Sequence, residues 1–261
     1  MKSLRVLTIG GFISYRALFN WLRPSIYVFT TLVPSVTKLC FFVFLGRAAH
    51  AGNDAFYVAG NALVVAASPS IFGMAQTIAG ERYTQTLSLL VVSPANRVAI
   101  FLGRALPATL NGFVVSVWAF TVGSLLFGVS VPGRALAPLA LTIALAALSC
   151  VGIGLFNAAL GLRWRETGVL GNVVLYVLLL FAGVNIPLDR LPPFLATIAE
   201  GLPVTHAARA ARDLVGGSSL GHVLPLLGAE ALVGACYVAV GLAAIRVFEA
   251  EARRGAALEI A

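Results

Sequence analysis

The chain has 261 residues, of which 59% are hydrophobic and only 11% are charged, and its formal net charge is +8. A soluble domain carries about 25% charged residues, so this composition cannot cover a water-facing surface and excludes a soluble enzyme. Apolar runs long enough to cross a bilayer as helices, about 20 residues each, recur along the sequence. Because these runs are too long and continuous for barrel strands, we predict an all-α integral membrane protein with about six transmembrane helices.

The N-terminal segment, residues 1–22, is expected to be an amphipathic interfacial helix that precedes the first span. Phe12, Tyr15 and Phe19 recur at helical spacing, and arginines such as Arg16 supply the charge. That pattern is typical of a helix lying in the membrane interface. The alternative is that this segment extends the first span.

Six apolar segments follow in chain order, and each is predicted to cross the membrane. The third and fourth exceed the bilayer thickness, so they are expected to tilt or to project into water. A short tail of residues 248–261 is expected after the last span. The predicted spans are residues 25–46, 56–79, 98–127, 136–162, 168–186 and 224–247.

The segment of residues 187–222, between the fifth and sixth spans, is only moderately polar and is punctuated by prolines. Residues 192–201 and 205–215 are each long enough for a short helix, and the doubled proline Pro192-Pro193 marks a break after the fifth span. We therefore predict a short external helical hairpin that lies at the membrane edge.

The distribution of Lys and Arg predicts the orientation, because cytoplasmic loops of membrane proteins are enriched in both. If the N-terminus is inside, twelve of these residues are cytoplasmic and five are external, with Lys38 inside a span. Both termini are then cytoplasmic, and anionic membrane lipids explain the basic charge without nucleic acid. The cytoplasmic set is Lys2, Arg5, Arg16, Arg23, Arg82, Arg97, Arg104, Arg163, Arg165, Arg246, Arg253 and Arg254, and the external set is Arg47, Arg134, Arg190, Arg209 and Arg212.

The loop of residues 80–97, between the second and third spans, is the most informative connection. Leu87, Leu90 and Val91 share one helical face, and Ser93-Pro94 ends that helix. A short helix with one apolar face suits docking into a groove of another protein. The alternative is an ordinary turn of helix that rests on lipid headgroups.

Two stretches of the sequence carry recognisable patterns. The first runs through this loop into the third span, and the second precedes the last span. The first pattern consists of Glu81-Arg82, Thr86-Leu87, Leu89-Leu90, Ser93-Pro94, Arg97 and Gly103-Arg104, and the second of Leu191-Pro192, Pro203-Val204-Thr205-His206, Ala210, Arg212 and Leu214-Val215-Gly216-Gly217.

Together these patterns resemble the type-2 ABC transporter permeases over nearly the whole chain. Residues 1–22 and the run Asn20-Trp21-Leu22-Arg23-Pro24 are similar to the elbow helix of that family. Two positions depart from the pattern, since Gln85 and Ser88 stand where many members carry Gly and Glu.

The resemblance implies a single transmembrane permease domain that forms half of an ABC exporter. It would pair with a second permease, identical or related, and with two cytoplasmic ABC ATPase subunits that bind ATP and Mg. This chain has no G-x-x-x-x-G-K-[ST] motif, and its lysines are Lys2 and Lys38 alone, so it holds no P-loop. The residues implied to couple to the ATPase are Glu81, Arg82, Thr86, Leu87, Leu90, Ser93, Pro94, Arg97, Arg163, Arg165 and Glu166.

Two ionisable side chains fall inside predicted spans, Lys38 in the first and Glu230 in the sixth. A buried unpaired charge is costly in a membrane, and such groups usually pair or line a polar cavity. We hypothesise that the two face each other or a shared polar pathway. The alternative is that Lys38 extends along its alkyl stem to the interface while Glu230 is protonated or interfacial.

The functional expectation is the permease subunit of an ATP-driven exporter in a bacterial-type cytoplasmic membrane. Its cargo is expected to be hydrophobic, drug-like or lipid-like, since small aliphatic residues dominate the spans. The alternative is a secondary transporter coupled to an ion gradient through Lys38 and Glu230. No catalytic, cofactor or metal site is expected, because the histidines and cysteines show no ligand spacing and no nucleophile has an activating base.

Overall fold

The computed structural model describes residues 24–50, 52–83, 97–161 and 167–259, and it places side chains for residues 25–50, 52–73, 101–161 and 168–248. The predicted amphipathic segment of residues 1–22 therefore lies outside the described residues. The part of the chain that is described is helical, and the prediction of an all-α membrane protein is confirmed. In chain order the α-helices are α1 (Pro24–Tyr27), α2 (Val33–Ala48), α3 (Asp54–Tyr83), α4 (Arg97–Phe127), α5 (Leu136–Ser149), α6 (Val151–Gly161), α7 (Thr167–Phe181), α8 (Pro193–Glu200), α9 (Thr205–Val215) and α10 (Leu220–Glu259).

Five helical segments of the described chain are long and apolar enough to cross a membrane, and α7 supplies a shorter apolar helix. The first crossing joins α1 and α2 through a π-helical turn, Val28–Leu32. This turn lies just before Pro34, which cannot donate to the carbonyl of Thr30 and whose ring crowds that carbonyl, so the helix widens there. The fourth crossing joins α5 and α6 through a break at Cys150.

Several predicted boundaries differ from the observed ones, and three of the differences change the description of a segment. Helix α3 continues to Tyr83, four residues beyond the predicted end of the second span and into the predicted loop. Helix α7 ends at Phe181, before the predicted end at residue 186, because Gly183 adopts a positive φ of 68° that breaks the helix. Helix α10 runs without interruption to Glu259, so most of the predicted tail continues the last helix.

The two short helices predicted before the last span are α8 and α9, and they lie at one end of the bundle. We call this end the hairpin end. Asp54 at the start of α3 and Phe127 at the end of α4 line one cavity with Arg212 of α9. Successive crossings alternate in direction, so Tyr83, Arg97, Gly161 and Thr167 lie at the opposite end, which we call the loop end.

Helix α3 occupies the centre of the bundle, where it packs against α2, α4, α5, α6, α7 and α9. In the membrane-spanning part of α3, 72% of the residues are buried. The corresponding share is 17% for the first crossing and 17% for α10. The outer faces carry exposed apolar side chains such as Phe29, Leu125 and Leu232. Such a surface suits contact with lipid chains and would be unfavourable in water.

Candidate functional site

The residues predicted to couple to an ATPase lie at the loop end of the bundle. Glu81 and Arg82 are in the last turn of α3, and Arg97 is the first residue of α4. Docking through this segment stays a prediction, because the other coupling residues are outside the described chain. They are Thr86, Leu87, Leu90, Ser93, Pro94, Arg163, Arg165 and Glu166.

The structure does not bring Lys38 and Glu230 together. Lys38 lies partly buried on α2, which packs against α3 and α4, and it forms no ion pair with any described residue. Glu230 lies on α10 and is engaged elsewhere. The hypothesised pairing is therefore not formed within this chain.

Glu230 instead joins three helices at a fully buried junction, since its side chain has 0% exposure. Its Oε1 accepts hydrogen bonds from the Ser149 hydroxyl at 2.5 Å and from the Val204 N–H at 2.7 Å, and its Oε2 accepts one from the Ala207 N–H at 3.1 Å. The first N–H groups of a helix have no intrahelical partner. The carboxyl group on α10 therefore caps the N-terminus of α9, which has no side-chain cap of its own.

The backbone at this junction is unusual. Val204 has a φ of 74°, in the left-handed region that residues other than glycine rarely adopt. Such a conformation persists only where the surroundings hold it. The bond from its N–H to Glu230 and the complete burial of its side chain supply that hold.

An apolar groove of about 390 Å³ lies beside Glu230, between α4, α5 and α10. Its walls are aliphatic, with Ser149, Thr109 and Glu230 as the polar contributions. Glu230 is ten residues into α10, so the groove begins about 15 Å along that helix from the hairpin end and extends towards the middle of the bundle. Apolar residues that line it include Leu102, Leu106, Leu148, Ala231, Ala235 and Val238.

A second polar junction, around Arg212 of α9, fastens the hairpin to α3. The guanidinium lies 3.5 Å from the centre of the Phe56 ring, donates through Nε to the Phe56 carbonyl at 3.3 Å and through Nη2 to the Val184 carbonyl at 2.8 Å. Gly60 leaves the space, since a Cβ there would lie 2.7 Å from Nη2. Burial lowers the pKa of Arg212 to about 10, so the group remains protonated at neutral pH.

Both junctions depend on long-range contacts that sequence reasoning missed. From the sequence, Arg212 is only an external charge and part of a family pattern. The available signal was the hairpin sequence itself, in which Thr205–Val215 places two arginines among alanines on a short amphipathic helix. For Glu230, the signal was a carboxylate inside a span with no basic residue three or four positions away on the same helix. It indicated a partner on another element without naming one.

The crossings, the lipid-facing outer surface and the hairpin at one end define a polytopic α-helical membrane protein. The sequence pattern of the family described as ABC-2 type transporter matches residues 11–215, and the chain belongs to this family. It is thus a transporter permease subunit.

Two named relatives support the same class. The chain is 27% identical over 130 residues to the probable multidrug ABC transporter permease YbhR of Escherichia coli strain K12, and equally to that of strain O157:H7. The match covers 50% of this chain and 35% of the relative. The chain thus aligns with about a third of the length of the curated relatives it matches.

Proposed function

We propose that this chain is the membrane-spanning permease subunit of an ATP-driven exporter that moves a hydrophobic, drug-like or lipid-like substrate outward. The observation that carries the proposal is membership of the ABC-2 type transporter family over residues 11–215. ATP and Mg are bound and ATP is hydrolysed on a separate cytoplasmic ABC ATPase, since this sequence has no P-loop motif. A second permease, identical or related, completes the transport unit.

The groove between α4, α5 and α10 supports an apolar cargo. Its lining is almost entirely aliphatic, and its 390 Å³ suit part of a drug-sized molecule or a lipid chain. A strongly charged cargo would find no exposed charge there, because Glu230 has 0% exposure and its oxygens are occupied. The name of the Escherichia coli relative, a probable multidrug permease, agrees with this preference.

The proposed location is a bacterial-type cytoplasmic membrane, with the loop end inside the cell and the hairpin end outside. The excess of Lys and Arg in the predicted cytoplasmic set supports this orientation. It puts the segment of residues 80–97 within reach of a cytoplasmic ATPase.

Reconstituted transport tests the proposal. The permease and an ABC ATPase subunit from the same source are placed in proteoliposomes, and movement of a lipophilic fluorescent dye is followed. We expect dye movement only when the ATPase and hydrolysable ATP are both present. Dye movement that responds to an imposed proton or sodium gradient without the ATPase would instead establish a secondary transporter.

A further inference from the structure

A second cavity, of about 600 Å³, lies at the hairpin end between the start of α3, the end of α4 and the end of α9. Its wall differs from that of the apolar groove, because it combines aromatic and aliphatic side chains with polar groups. The lining includes Asn53, Asp54, Phe127, Val129, Ser130 and Arg212.

The guanidinium of Arg212 is the unbalanced charge in this wall. Its Nε and Nη2 donate to backbone carbonyls, which are neutral, and its Nη1 donates to no described residue. No carboxylate in the described chain forms an ion pair with it. Because the group remains protonated at neutral pH despite its burial, an anion that reached Nη1 would be attracted and would form a charge-assisted hydrogen bond.

The neighbouring charges do not cancel that of Arg212. Asp54 also lines the cavity, but Arg47 donates to both of its oxygens, at 2.9 Å from Nε and 2.5 Å from Nη2. On α9 itself, Arg209 lies 3.4 Å from Glu200, and Asp213 lies 3.9 Å from His222. Asp54 and Glu200 therefore have basic partners other than Arg212. Asp213 attracts Arg212, but it forms no ion pair with it and does not line the cavity, and Arg209 repels Arg212.

The rest of the lining suits a molecule with one polar and one apolar part. The Ser130 hydroxyl is a hydrogen-bond donor, and the Asn53 amide has donors to spare because its Oδ1 accepts from the Phe56 N–H at 2.9 Å. Phe127, Val129 and Val215 form the apolar part of the wall. An inorganic anion alone would leave that apolar surface uncovered.

We propose that this cavity binds the anionic head group of an amphiphile, a phosphate or carboxylate held at Arg212, with the apolar part of the molecule against Phe127 and Val129. The amphiphile comes either from the bilayer as an anionic phospholipid or from solution as a free molecule. If the free molecule is also cargo, that role rests on the proposed transport function. Binding itself needs neither ATP nor an ATPase.

Binding to the purified full chain in detergent tests this proposal. Dihexanoyl phosphatidylglycerol is compared with dihexanoyl phosphatidylcholine, which has the same chains and a zwitterionic head group, and with decanoate and inorganic phosphate. Ser130→Glu adds a carboxylate at the exposed rim of the cavity, and Ser130→Gln is the uncharged control of similar size. Ser130 takes no part in the contacts that Arg212 makes with Phe56 and Val184.

We expect phosphatidylglycerol to bind at least about tenfold more tightly than phosphatidylcholine, and Ser130→Glu but not Ser130→Gln to abolish that difference, since like charges repel in a partly buried site. If decanoate binds and Ser130→Glu but not Ser130→Gln abolishes its binding, the cavity is a site for free amphiphilic anions. If decanoate binding shows no such loss, the cavity is a phospholipid site. Equal binding of the two phospholipids, equal effects of the two variants, or inorganic phosphate binding as tightly as phosphatidylglycerol would overturn the proposal. None of these results depends on transport.

Discussion

At the scale of single residues, Glu230 shows how a costly group is retained inside a membrane protein. A buried carboxyl group without partners is unfavourable in lipid. Here it replaces the water that would otherwise satisfy the N–H groups of Val204 and Ala207 at the start of α9. Because α9 carries Arg212, this cap also fixes the position of the second polar junction.

The first prediction concerns this cap. Glu230→Leu removes the acceptor for the Val204 and Ala207 N–H groups, and each unsatisfied buried group costs about 1–3 kcal/mol. The Ser149 hydroxyl keeps an acceptor, the Ala146 carbonyl at 2.9 Å. Ser149→Ala removes one donor and leaves none unsatisfied, so it should cost about 1 kcal/mol. We expect a clearly lower thermal midpoint in detergent and faster amide exchange at Val204 and Ala207 for Glu230→Leu alone. Similar losses in the two variants would contradict the capping role.

The position of Glu230 inside a span predicts that its carboxyl group needs a partner, but the hypothesised pairing with Lys38 is not the one observed. Intramembrane charge alone suggested Lys38, whereas the observed partners are a hydroxyl and two backbone groups. Backbone donors carry no residue signature, because every non-proline residue has one. The positive φ of Val204 that exposes its N–H to Glu230 is likewise set by tertiary structure.

At the scale of elements, the packing of α10 against α5 and α6 depends on glycine. A Cβ at Gly234 would lie 2.8 Å from the Ser149 Cα, and one at Gly152 would lie 2.2 Å from the Tyr237 carbonyl carbon. Small residues let helices approach closely in membranes, where dispersion contacts replace the hydrophobic effect as the driving force. This close approach forms one wall of the apolar groove and brings Glu230 within reach of Ser149.

The second prediction concerns that groove. Ala235 lines it, and Ala239, one turn further along α10, does not, although both side chains are exposed. Ala235→Phe should fill the groove and lower ATP-driven dye movement several-fold, while Ala239→Phe should leave it near the wild-type rate. The readout is initial transport rate at equal protein and equal bound ATPase. Equal rates in the two variants would separate the groove from cargo transport.

The crossings themselves were predictable from sequence. In lipid, a helix is the structure in which a single apolar run of 20 residues satisfies its own backbone hydrogen bonds without pairing with another segment. The hairpin helices were also predictable, since prolines and a change in polarity bound them. The π-helical turn Val28–Leu32, the break at Cys150 and the early end of α7 were not predicted. These features depend on local backbone geometry inside runs whose hydropathy does not change.

At the scale of the whole molecule, the bundle has two chemically different ends. The hairpin end is held by the Glu230 and Arg212 junctions and carries the ion pair of Arg47 with Asp54. The loop end carries Glu81, Arg82 and Arg97, which lie on helix ends within the predicted docking segment of residues 80–97. A driving force applied at the loop end would reach the groove through α4 and α10, which extend to it from that end.

The central claim is that a separate ATPase drives this bundle through residues 80–97, and binding of the ATPase subunit measured together with ATP-driven transport tests it most directly. The account predicts that Glu81→Lys weakens ATPase binding and transport by about tenfold or more, as expected for loss of an interfacial charge contact, while the permease still inserts. Glu200→Lys, an equal charge reversal on the exposed hairpin, should change neither. Undiminished ATPase binding and transport in Glu81→Lys, or transport without any ATPase, would contradict the account.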